Sequence, residues 1–137
     1  MNSMPTRASE WALLVRVALL LVAIRRWLPR IPLSALLERL ATRRSSADPR
    51  SVELGARYAD ALLARMPIGR RGDCLPRSLV IYHLALRAGL PVQLHVGMRR
   101  SGAGLAGHAW CTSDGVILAG ASADGFQETY CFPATPL

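Results

Sequence analysis

No long apolar run is present in the sequence. Trp11 to Ile24 is apolar apart from Arg16, and its uninterrupted part, Val17 to Ile24, has eight residues, whereas a spanning helix takes about 20. Nor does a small-residue cleavage site follow the run, as a signal peptide would require, because the next residues are Arg25-Arg26-Trp27-Leu28-Pro29-Arg30. The stretch therefore reads as a helix from about Ala8 to Trp27 packed into the protein. An interfacial helix held at a bilayer surface by Arg and Trp is the alternative, so membrane contact is not required. Cysteine is scarce: Cys74, Cys111 and Cys131 make an odd number with no C-x-x-C pair. That argues against a zinc knuckle and a disulfide scaffold and points to a reducing cytoplasm; no metal and no cofactor are expected. Lysine is absent, so all 17 basic residues are arginine, and the net charge is +8. This charge is spread along the chain and suits an acidic peptide, an acidic partner or a membrane surface. No helix-turn-helix, zinc or RNA-binding motif accompanies it, so nucleic acid is not an expected partner.

What is present is a foldable chain. Of its 137 residues, 51% are hydrophobic and 19% charged, which gives one domain with one core rather than a disordered chain. Residues 1–50 read as a helical N-terminal region and 51–137 as the core. After the first helix, Pro29 and Pro32 break the chain. Ser34 to Ala41 makes a short second helix with Leu33, Leu36, Leu37 and Leu40 as its apolar positions. Thr42 to Arg50 is polar and reads as a loop ending in an Asp48 N-cap and a first-turn Pro49. A third helix runs to about Met66, with Leu54, Tyr58, Leu62 and Met66 every four residues.

Asp73-Cys74-Leu75-Pro76-Arg77-Ser78 opens the next apolar run. Leu75, Leu79, Tyr82 and Leu86 lie on one helical stripe, Pro76 suits a first turn, and Gly89 with Pro91 stops the helix after Ala88. Cys74 is therefore placed at a helix N-terminus, where free N–H groups and the positive end of the helix dipole favour a thiolate. Arg70, Arg71 and Arg77 add positive charge nearby. A thiol so placed is a candidate nucleophile, and its own N–H is the natural oxyanion donor; the other reading is a small buried hydrophobe.

Strands are expected over Leu90 to Met98, Leu105 to Thr112 and Val116 to Gly120, with Ser113-Asp114-Gly115 as a hairpin turn. One helix followed by antiparallel strands reads as α+β. Gly107-His108-Ala109-Trp110 falls on the second strand, 34 residues from Cys74 to His108. His108 is the candidate general base, with a core histidine bonded to backbone as the other reading. Trp110 shares its face and Cys111 points the other way. His83, about two and a half turns along the helix from Cys74, is too far to be its base. His83 and His95, with Cys111 and Cys131, read as structural.

Taken together, Cys-Leu-x-Arg-Ser-Leu, the helix ending at Ala88-Gly89-Leu90-Pro91, the strand Val92 to Arg99 and Gly107-His108-Ala109-Trp110 resemble the transglutaminase-like leader peptidases of lasso-peptide biosynthesis, over roughly residues 52 to 133. The resemblance implies a transglutaminase-like (papain-like) core, in which a catalytic-cysteine helix packs on a small antiparallel sheet. It implies a cysteine peptidase that removes the leader from a ribosomally made precursor peptide, with Cys74 as nucleophile and His108 as base. The partners it implies are the precursor, a small leader-recognition protein and an ATP-dependent lasso cyclase. The family carries an Asp on the strand returning beside the histidine. Here the position opposite His108 falls near Ala121, in Gly120-Ala121-Ser122, and holds no acid. Asp114 is a turn residue, so Asp124 is the acid assigned to the third place. A transglutaminase-like acyltransferase or amidase with the same dyad, and a non-catalytic peptide-binding module of the same fold, are the competing readings.

Overall fold

A computed structural model describes residues 7–41, 49–66, 74–120 and 125–133. The elements run α1 (Ala8–Trp27), α2 (Leu33–Leu40), α3 (Arg50–Arg65), α4 (Cys74–Arg87), β1 (Gln93–Ser101), β2 (Gly104–Ser113), β3 (Val116–Ile117) and β4 (Gln127–Phe132). The four strands form one antiparallel sheet in the order β3-β2-β1-β4. This is the expected α+β class. The Asp48 cap, the loop before Cys74 with Arg70 and Arg71, and Ala121 to Asp124 lie outside the described residues.

A single apolar cluster joins the helices to the sheet. Leu21 and Ile24 of α1, Leu37 of α2, Leu79 and Leu84 of α4, and Leu94 of β1 all belong to it. Helix α1 is thus part of the core through the Val17-Leu21-Ile24 stripe, which is fully buried. Its other face carries a second apolar stripe, Trp11, Val15, Leu19 and Val22, each 46–64% exposed. Among the described residues no helix is long and apolar enough to cross a membrane.

Chain ends of the elements follow local chemistry. Helix α4 closes where Gly89 takes φ 78, with Leu90 N–H on Ala85 O and Gly89 N–H on Leu86 O, both at 3.0 Å. These satisfy carbonyls the helix end would otherwise leave bare. The closure also draws Leu90-Pro91-Val92 into the turn, so β1 begins at Gln93, three residues later than expected. Asp114 and Gly115 take φ 50 and 80, the two positive values of a type I′ hairpin between β2 and β3. The returning strand stops after Ile117 rather than at Gly120. Leu118 N–H turns back to Cys111 O at 2.9 Å, and Ala119 and Gly120 take φ 57 and 69, which no strand holds. Strand β4 is the element that the expected strands lack: its partner is β1, about 30 residues away.

His83 is held structurally. Its Nδ1 lies 2.8 Å from Leu40 O, tying α4 to the end of α2, and its buried Nε2 has no partner among the described residues. Burial, with Arg16 and Arg87 nearby, pulls its pKa below the usual histidine value against the bond to Leu40. A histidine depressed in the fold binds its proton more readily in the unfolded chain. Its contribution is complete above the unfolded value of about 6.5 and is lost as pH falls through the lower folded value. Urea melts should therefore show stability falling below about pH 6.5, and His83→Gln should flatten that part of the profile. An unchanged slope would exclude His83 as its source.

Candidate functional site

Cys74 is the first residue of α4 and is half-buried. Arg77, one turn on, bonds Asp60 Oδ1 at 2.7 Å and Ala119 O at 2.9 Å. That bond fixes the start of α4 against α3 and the chain after β3. Helix α4 packs on the sheet through Ser78, whose carbonyl accepts from Cys111 Sγ at 3.2 Å. Burial pushes the Cys111 thiol far up, with Arg77 opposing only weakly. Cys111 is therefore a packing residue, as the sequence predicts.

The contact to Ser78 also sets the faces of the sheet. Side chains alternate along a strand, so Ala109 and Cys111 face α4, while His108, Trp110 and Thr112 lie on the other face. His95 and Gly97 join them by register, His95 opposite Trp110 and Gly97 opposite His108. On this face the rings form a row. His95 stacks on Trp110 at 5.5 Å and Trp110 on His108 at 5.7 Å, His108 meets Phe126 at a tilt with centroids 4.9 Å apart, and the Arg99 guanidinium caps Phe126 at 4.6 Å. Trp110 is 7% exposed and shields both imidazoles.

His108 Nε2 is buried and has no hydrogen-bond partner among the described residues. Buried polar atoms are almost always paired, so this nitrogen stands ready for a proton donor that the described chain does not supply. Neither the Arg77–Asp60 pair nor the His95–Glu128 pair involves His108. Cys74 and His108 are both half-buried, on a helix start and on the strand that this helix packs against. No hydrogen bond among the described residues joins them, and the pleat turns His108 to the face away from Ser78. Strand β3 pairs only with Thr112 and Ser113, so along Gly104–Cys111 the outer edge of β2 has no strand partner among the described residues. Asp124, the acid assigned to the third place, lies outside them.

Three residues that sequence reasoning passed over sit on this face. Glu128 Oε1 contacts His95 Nδ1, Thr112 Oγ1 lies 2.7 Å from His95 Nε2, and Phe126 covers His108. Glu128 and Phe126 come with β4, and the alternation of Thr129 and Cys131 with Tyr130 and Phe132 was the signal that could have shown it. His95, read as structural, makes two polar contacts and a stack.

Gly97 holds the row together by having no side chain. A Cβ there would stand 2.9 Å from Trp110 Cη2 and 3.0 Å from the backbone carbonyl of Gln127. Trp110 cannot swing aside without moving a histidine ring. Gly97→Ala should cost about 1–3 kcal/mol, a melting temperature roughly 3–10 °C lower, with a changed near-UV tryptophan signal. Melting at the wild-type temperature would show the indole to be loosely held.

A separate cleft lies between α1, α3 and the far end of α4, lined by Leu13, Arg16, Leu20, Leu54, His83 and Arg87 among others. It is distant from Cys74 along α4.

No curated protein and no solved structure matches the chain. The family model for the transglutaminase-like superfamily matches residues 18–131, from within α1 to within β4. A helix opened by a cysteine, packed on an antiparallel sheet whose second strand carries a histidine, agrees with that match, and the chain belongs to the transglutaminase-like superfamily.

Proposed function

We propose that the protein is a cysteine peptidase that removes the leader from a ribosomally synthesised precursor peptide in lasso-peptide maturation. The observation that carries a thiol-hydrolase reading is the unpartnered buried Nε2 of His108, on the strand against which the Cys74 helix packs. In this reading His108 takes the Cys74 proton as the sulfur attacks the scissile carbonyl, and the leaving amine departs with that proton. Water then attacks the thioester, again with His108 as base. The N–H groups at the start of α4 receive the oxyanion. The outer edge of β2, which has no strand partner along Gly104–Cys111 among the described residues, is where an extended precursor can add as a strand. Asp124 is proposed to orient His108. The arginine-rich surface suits an acidic leader, delivered by a small recognition protein, with the cyclase acting on the freed core peptide.

Mass spectrometry of a precursor incubated with the protein and its recognition partner tests this. The expected result is a single leader cut. Added amine should not be incorporated at the new terminus; incorporation would make the enzyme an acyltransferase. One observation favours a second reading: the pleat directs His108 away from the face that packs α4. Precursor that binds yet stays whole would make the protein a peptide-binding module.

A further inference from the structure

We propose that His95, Glu128 and Cys131 form a binding site for a divalent transition-metal ion of the zinc type. Their ligand atoms, one nitrogen, one carboxylate oxygen and one sulfur, all lie within 4.8 Å of one another. Tetrahedral ligands at about 2.0–2.3 Å from zinc stand roughly 3.3–3.8 Å apart, so adjustments of about an ångström suffice to close the set. Glu128, the most exposed of the three, has the freedom to make them. This nitrogen, oxygen and sulfur set suits zinc, and its borderline softness also admits cobalt.

The surroundings are those of a ligand set rather than of three residues that happen to meet. His95 presents Nδ1 to Glu128 and Cys131, and its Nε2 lies 2.7 Å from the buried hydroxyl of Thr112. A proton between Nδ1 and Glu128 Oε1 makes their contact; a bound ion would take its place, with Nε2–H donating to Thr112 Oγ1. A ligating histidine commonly donates its other ring N–H in this way. Trp110, stacked at 5.5 Å and 10°, sets the plane of the imidazole. Gln93 Nε2–H donates to Cys131 Sγ at 3.4 Å and to Pro133 O at 2.9 Å, which holds the sulfur in place, and an entering ion would displace the thiol proton that is directed at Pro133 O, 3.5 Å away. Three protein ligands leave a fourth position open.

The site joins β1 to β4 beside the register shift at Val96/Gly97. A bound ion would pin the strand that follows Phe126, the ring covering His108. The proposal does not depend on the chemistry of Cys74.

Cobalt(II) reports thiolate ligation through a near-ultraviolet charge-transfer band, so the full-length chain should be titrated with Co²⁺ and then with competing Zn²⁺. The expected result is one ion per chain, with the band retained in Cys74→Ser and lost in Cys131→Ser. Thr112→Val leaves all three ligands in place and should weaken binding by about 10–100-fold, which keeps the test open if Cys131→Ser does not fold. A band that survives Cys131→Ser but disappears in Cys74→Ser would place the ion on the nucleophile and overturn the proposal. Equal affinity in wild type and Thr112→Val would overturn it, as would no binding at millimolar Co²⁺. With no binding, the cluster would be a hydrogen-bonded one without metal.

Discussion

Cys74→Ala should lower precursor cleavage by at least about a thousandfold while the chain stays folded and still binds the peptide. The side chain is half-buried at the first position of α4, where alanine is well tolerated, so loss of folding is not the expected cause. His108→Ala should cost a similar factor. The double variant should cost little more than either single change, because a nucleophile and its base act as one unit. Rates from timed mass spectra of the same precursor give all three values. If Cys74→Ala retained a tenth of the wild-type rate, the thiol would not be the nucleophile. Additive losses would mean that the two residues work separately, in keeping with a His108 turned to the other face of the sheet.

Leu21→Ala should strongly destabilise the fold. Leu21 is fully buried, within the same cluster as Leu84 and Leu94. Removing most of a buried leucine side chain costs about 2–5 kcal/mol, part in lost transfer energy and part in the cavity left behind. For a chain of this length that corresponds to a melting temperature roughly 7–17 °C lower. Leu19→Ala, two residues away and 64% exposed, should change stability by no more than about 0.5 kcal/mol. Thermal unfolding of the two variants side by side checks the pair. Equal small effects would show that α1 is not packed in the core, and would leave its apolar faces for a membrane or a partner.

Much of the helical part could be read from sequence because the information there is local. The boundaries of α1 are the predicted Ala8 and Trp27, and those of the other helices lie within a residue or two. Proline, glycine and apolar residues at helical spacing act over a turn or two and need no distant partner. The Asp114-Gly115 turn was legible for the same reason: two adjacent residues with positive φ suffice to make it. Cys74 and His108 stood out by residue type and position.

The site around His108 was less legible because strands far apart in sequence build it. Glu128 reaches His95 only because β4 pairs with β1 across about 30 residues, and no local pattern states which edge a strand will join. Gly97 looks like any glycine in a strand until the Trp110 ring is laid across it. His95 resembled a spare core histidine until Thr112 and Glu128 came to its two nitrogens. By itself, then, the sequence determined the helices and the hairpin turn, since each rests on nearest-neighbour geometry, and the superfamily, since its motifs are ordered along the chain. Only the tertiary structure decided which face of the sheet each histidine occupies and what surrounds it, because pleat, register and strand order are properties of the whole sheet.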